Sequence, residues 1–169
     1  SGYLKKKYAL SYDVGDEILI TVGVSEGLDL ALRALLNAGD YVIVVSPHYV
    51  AYPALVELAG AKVLYLETKE KEGFKISLSQ LKKLLKYNPK AIILNYPSNP
   101  TGVTYTKEEL RRIWRLIAPT QTVVITDEIY HDLIYDGLHT PFSALKGAKR
   151  RTTLLNGFSK GSDRKSTRL

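Results

Sequence analysis

The sequence predicts an α/β fold: a mostly parallel sheet with helices on both faces. Three observations carry this. Short, β-rich apolar runs alternate with segments of helical period along the whole chain. The runs are near-continuous in Ile, Val and Leu rather than alternating with polar residues, as strands covered on both faces are. The chain has 169 residues, 45% hydrophobic and 24% charged, enough for one domain with a real core.

In chain order, EILITVG (17–23) reads as the first strand, and SEGLDLALRALLNAGD as a helix ending near Gly39. YVIVVS (41–46) is the next strand, followed by a helix through AYPALVELAGA, and KVLYLE (62–67) is a third strand. SLSQLKKLLKYN is a helix opened by Ser77, and KAIILNYP (90–97) is a strand. TKEELRRIWRLIA is a helix whose Thr106 and Glu109 form a capping box. TVVITDE (122–128) and TTLLNGF (152–158) complete the strands. No repeat or low-complexity block interrupts the pattern.

Composition excludes several chemistries. Cys is absent, which removes disulfides, thiolate metal sites and Cys nucleophiles. No 18-residue apolar run suggests a membrane span, and SGYLKKKYALSYD has no signal-peptide core. A cytoplasmic protein is expected. The net charge of +7 is spread along amphipathic helices where Glu and Lys mix, so nucleic acid is not an expected partner. The chain contains no Met, so its first residue is expected to lie inside a longer or processed protein.

In open α/β sheets, ligands bind beyond the carboxyl ends of the strands. The residues there are Val24-Ser25-Glu26-Gly27, Pro47-His48-Tyr49, Ser98-Asn99-Pro100-Thr101-Gly102, Asp127-Glu128-Ile129-Tyr130 and finally Lys160. Each has an ordinary reading when taken alone. Ser25 is a helix cap, Asn99 to Gly102 a turn, Tyr49 and Tyr130 packing residues, and Lys160 a surface lysine. Glu128 reads as support for the sheet or for Tyr130 rather than as a reacting group. His48 pairs with nothing evident in sequence, and His131 and His139 show no metal spacing.

Taken together, the set suits pyridoxal 5′-phosphate. That cofactor needs a lysine amine for its Schiff base, a carboxylate on its pyridine nitrogen, a donor on its phenolate oxygen, an anion site for its phosphate and a flat partner for its ring. Lys160, Asp127, Asn99 with Tyr130, the Val24–Glu26 turn and Tyr49 fill these roles in that order.

NYPSNPTG, then TDEIY, then NGFSK resembles the class I/II aminotransferases, the fold-type I pyridoxal-phosphate enzymes. LITVGVSEGLDLALRALLNAGDYVIVVSPHYVAYP resembles their phosphate-turn region, and the resemblance runs from residue 1 to about 161. It implies that Lys160 carries the internal aldimine and that Asp127 pairs with the pyridine nitrogen. It implies further that Asn99 and Tyr130 bond the phenolate oxygen, that Tyr49 stacks on the ring, and that Val24 and Ser25 hold the phosphate at a helix start. The implied reaction is transamination between an L-amino acid and a 2-oxo acid, in a homodimeric full-length parent. A pyridoxal-phosphate lyase or synthase of the same fold is the alternative within the cofactor class. A nucleotide-binding α/β domain without catalysis is the alternative outside it, although VGVSEG is not G-x-G-x-x-G.

Two departures stand out. Many members have Ser or Thr three residues before the lysine, where this chain has Gly157. After Lys160 the family's apolar turn and arginine are replaced by GSDRKSTRL. The string DRKSTRL resembles the translation of a common sequencing-library adapter. Residues 1–161 are therefore expected to be part of the cofactor-binding large domain, 162–169 a non-native tail, and Arg168 a coincidence. The small C-terminal domain is expected to be absent and the fragment to turn over poorly.

Overall fold

The computed structural model describes residues 2–135 and 137–160. Five strands form one parallel sheet: β1 (Tyr41–Ser46), β2 (Lys62–Glu67), β3 (Ala91–Asn95), β4 (Val123–Asp127) and β5 (Thr152–Leu155), in the order β2-β1-β3-β4-β5. Five α-helices accompany them: α1 (Gly2–Tyr8), α2 (Gly23–Leu35), α3 (Ala51–Leu58), α4 (Leu78–Leu84) and α5 (Lys107–Ile117). None of the described helices is long and apolar enough to cross a membrane.

The predicted architecture is present, and the strand alternation shows why it holds. Val42 and Val44 of β1, Ala91 and Ile93 of β3, and Ile125 of β4 face one side, where Leu28 and Leu32 of α2 and Tyr52 and Val56 of α3 cover them. Ile43, Ile92, Leu94 and Val124 face the other side, under Leu81 of α4, Leu110, Ile113 and Ile117 of α5, and Phe142. Both faces are apolar because both are covered, so the runs could not alternate with polar residues.

Local chemistry sets the helix ends. Ser77 caps α4 by accepting from the Gln80 N–H. Thr106 and Glu109 make both halves of the capping box on α5. At the far end of α5, the Arg151 guanidinium donates to the carbonyls of Ile117, Ala118 and Thr120, satisfying acceptors the helix leaves open.

One predicted element is corrected. Residues 17–23 do not form a strand, and Gly23 is already the first residue of α2. A strand needs a ladder partner, and none of the five strands pairs with this segment. Leu19, Ile20 and Val22 are 72%, 93% and 90% exposed. The strands predicted over 90–97, 122–128 and 152–158 are shorter than expected, ending at Asn95, Asp127 and Leu155. What lies beyond each end is the loop that carries polar groups. The expectations for residues 162–169, Arg168 included, fall outside the described residues.

Candidate functional site at the carboxyl rim

β4 delivers Asp127 to the rim, 6% exposed. Its Oδ2 accepts from the Tyr52 hydroxyl at 2.7 Å, and its Oδ1 from the Ile129 N–H at 3.2 Å. Burial pushes the Asp127 carboxyl above its ordinary pKa, while those two donors pull it down. Among the described residues no Lys, Arg or His forms an ion pair with it. A buried carboxylate with spare lone pairs and no cation is suited to receive a cationic N–H from a ligand.

Tyr52 was not singled out from sequence. It sits in the first turn of α3, one helical turn after Tyr49, and the α3 face that buries Val56 also turns Tyr52 toward the sheet. Burial, then the neighbouring Asp127, push its hydroxyl far above the ordinary tyrosine pKa, so it is held as a donor. Tyr49, a predicted ring partner, lies edge-on to Tyr52 with ring centroids 5.7 Å apart. Tyr130 follows Asp127 by three residues, in the turn beyond β4.

Asn99 sits in the loop after β3, its N–H bonded to Asn95 Oδ1 at 2.7 Å. Asn95 Nδ2 donates in turn to the Asp127 carbonyl at 2.8 Å. Asn95, another residue the sequence reading passed over, thus ties the Asn99 turn to the end of β4.

The opposite side of the rim is joined by packing. A Cβ added to Gly157 would lie 3.2 Å from Ile129 Cδ1 and 3.9 Å from Val24 Cγ2. The end of β5, the start of α2 and the turn after Asp127 therefore meet at Gly157. That tightness gives a physical reason for glycine where a hydroxyl residue was expected. Val24, Ser25 and Glu26 occupy the first turn of α2, which has no side-chain cap on its amide groups. The Glu26 carboxylate instead turns back to accept from the Val22 N–H. What this turn offers an anion is backbone N–H and the exposed Ser25 hydroxyl.

Lys160 follows β5 by five residues and is exposed. Asp127, Asn99 and Tyr49 are thus linked through Tyr52 and Asn95, Tyr130 lies in the turn that follows Asp127, and Val24 approaches that turn through Gly157 and Ile129. Ser25, Glu26 and Lys160 are at the same rim with no described contact to Asp127. Beside Tyr52 opens a shallow cleft with His48, Asn95, Ser98 and Thr101 in its lining. His48 stacks on Tyr65 at that edge, an arrangement that needs no catalytic role. Among the described residues no cluster of His, Asp and Glu could hold a metal ion.

The donor set fits pyridoxal phosphate: a cation-free buried carboxylate, a tyrosine-lined wall and an uncapped helix start share one rim.

Comparison with known proteins points the same way. The family model described as aminotransferase class I and II matches residues 2–162. A putative aminotransferase, YugH, of Bacillus subtilis is 42% identical over 160 residues, covering 95% of this chain and 42% of that protein. The aspartate aminotransferase of Geobacillus stearothermophilus is 38% identical over 92% of this chain and 41% of its own length. Among solved structures, the aromatic aminotransferase of Pyrococcus horikoshii superposes with a TM-score of 0.92 at 34% identity, over 98% of this chain and 44% of that one. This chain spans less than half the length of these relatives.

Proposed function

Since the chain belongs to the aminotransferase class I and II family, we propose that it supplies the cofactor-holding part of an enzyme that moves an amino group between an L-amino acid and a 2-oxo acid, using pyridoxal 5′-phosphate. The observation that supports this reading is the buried carboxylate of Asp127, which accepts from Tyr52 and Ile129 and has no cation beside it among the described residues.

In this reading the bound cofactor supplies an electron sink for the bond-breaking at the substrate Cα. The rest falls to the chain. Asp127 accepts a hydrogen bond from the ring nitrogen and holds its proton there. Tyr49 covers one face of the ring and excludes water from it. Asn99 and Tyr130 donate to the ring's phenolic oxygen. The amide groups of Val24 and Ser25 take the phosphate. Lys160 would supply the amine that holds the cofactor, and the same amine would move the proton at the substrate Cα.

The domain division follows: residues 1–161 form part of a cofactor-binding large domain and 162–169 a non-native tail. A second copy of the full-length polypeptide completes the site, and the location is cytoplasmic. The fragment itself binds cofactor weakly and turns over poorly.

Borohydride reduction of the chain mixed with pyridoxal phosphate, followed by peptide mass mapping, tests the assignment. The label is expected on the peptide containing Lys160 and is lost in Lys160→Ala. Labelling spread over the other lysines, unchanged in that variant, would overturn it. Adding L-amino acids to the labelled-competent chain then separates transfer, which yields 2-oxo acid and aminated cofactor together, from elimination.

A further inference from the structure

β4 ends at Asp127, and the acidic Glu128 follows it directly, the two side chains turning to opposite sides of the sheet. Asp127 turns toward Tyr52 of α3. Glu128, 1% exposed, turns into the other core. There its Oε1 accepts from the Tyr96 hydroxyl at 3.0 Å and from the Phe142 N–H at 3.1 Å, and its Oε2 accepts from His139 Nε2 at 2.6 Å. Its backbone is equally engaged. The Glu128 N–H donates to the Leu155 carbonyl at 2.9 Å, and its own carbonyl accepts from the N–H and the Nδ1 of His131, each at 3.0 Å.

Resting on the reading of Asp127 as the partner of the ring nitrogen, we propose that Glu128 is a positioning residue that acts through Asp127, with Tyr96, His139 and the Phe142 amide as its fixtures.

Three features support this. First, the bonds at Glu128 join four segments around the end of β4: the residue after β3 through Tyr96, β5 through Leu155, the 139–142 segment, and the turn that carries Tyr130. Second, a buried carboxylate is a costly way to fill a core, and an apolar side chain of similar size is often neutral or better for stability. His139 shows the same commitment. Its Nδ1 is buried with no described partner, so the Nε2–H to Glu128 is the one hydrogen bond its ring makes. Third, the Glu128 charge raises the proton affinity of Asp127, adding to the larger effect of burial. The titratable groups bonded to the pair are Tyr52 at Asp127, and Tyr96, His131 and His139 at Glu128; Tyr12 feels the Glu128 charge, and Tyr49 packs edge-on to Tyr52.

The probe is 4′-deoxypyridoxine 5′-phosphate, which has the ring nitrogen but no aldehyde and so does not depend on Lys160. It is bound at saturation to the chain and to Asp127→Asn, Glu128→Gln and Tyr96→Phe. Protonation of its ring nitrogen is followed by ultraviolet absorbance against pH, with circular dichroism and thermal midpoint as controls on folding.

Asp127→Asn is expected to lower the midpoint most. Glu128→Gln can keep the fold, because its amide donates to His139 once the imidazole proton moves to Nδ1. It is expected to lower the midpoint by about half a pH unit or more, a roughly threefold change in the proton equilibrium. Tyr96→Phe lowers it less, and decides the matter if Glu128→Gln does not fold. A purely structural Glu128 changes occupancy and thermal midpoint but leaves the titration of bound analogue at the wild-type value. That result, with Asp127→Asn shifted, overturns the proposal alone. An unshifted Asp127→Asn, or no binding by the wild-type chain, overturns the parent reading and the proposal with it.

Discussion

The two halves of the rim are built differently. Around Asp127 the acidic groups are held on fixed donors: Tyr52 and Ile129 hold the carboxylate, Asn95 holds the carbonyl, and Glu128 beneath is gripped by three donors. Around the start of α2 and the end of β5, the chain is open. Leu19, Ile20, Val22, Phe158 and Lys160 are exposed, and α2 begins without a side-chain cap. The half that would fix the ring nitrogen is preorganised by the sheet. The half that would hold phosphate and amine is presented on loops, where side chains are free to adjust.

The sharpest break of this contrast is a pair of isoleucines. Ile93 in β3 is 1% exposed and packs between sheet and helices, whereas Ile20 is 93% exposed in a run of equal hydrophobicity. Ile93→Ala is expected to cost about 2–5 kcal/mol by urea unfolding, the range for truncating a buried aliphatic side chain. Ile20→Ala is expected to stay within about 0.5 kcal/mol, as exposed substitutions do. Equal costs would mean that residues 17–22 are packed after all.

Smaller, and confined to the preorganised half, is Tyr52→Phe. It leaves Asp127 Oδ2 buried without a donor, an omission that costs about 1–3 kcal/mol. Tyr52 is one of the two donors that lower the Asp127 pKa, so its loss is expected to move the carboxyl further upward. Carbon-detected NMR titration of the side chain reads that shift directly. A thermal midpoint and a titration both unchanged would show that the contact is incidental.

Much of this was legible in sequence where the deciding interaction is local or periodic. The capping box of Thr106 and Glu109 spans three residues, and both of its bonds form. The runs YVIVVS and KVLYLE become strands over the same residues, the first in the sheet interior with both faces covered and the second pairing along its edge. The run EILITVG has the same composition and fails, because a strand also needs a neighbour that a single segment cannot specify. Asp127 was legible as a strand-end acid. Tyr52, seventy-five positions away, was not, since only the docking of α3 on the sheet brings its hydroxyl to 2.7 Å. Glu128 was legible as a supporting group, but its partners Tyr96 and His139 come from separate loops that the fold alone brings together. Gly157 read as a missing hydroxyl, and the structure adds that Ile129 and Val24 pack close to its Cα.

The smallest effect separates function from stability within the preorganised half. Burial raises the Asp127 pKa above its ordinary value of 3.8. The folded chain therefore holds the Asp127 proton more tightly than the unfolded chain does. The stabilisation this provides is complete below about pH 3.8 and is lost as pH rises through the raised folded-state value. At neutral pH the ligand-free chain carries a desolvated charge with no cation beside it among the described residues. Asp127→Asn cannot ionise, and its side-chain oxygen still accepts from Tyr52 or from the Ile129 amide. The variant is expected to gain thermal stability relative to wild type at neutral pH, and to lose that advantage as pH falls toward 3.8. Scanning calorimetry of both chains across that window checks the sign. A wild-type chain that is the more stable at neutral pH would mean that Asp127 is already compensated in the ligand-free fold. The carboxylate would then have no unmet demand to offer a cationic ring, and the contrast between the two halves of the rim would lose its functional meaning.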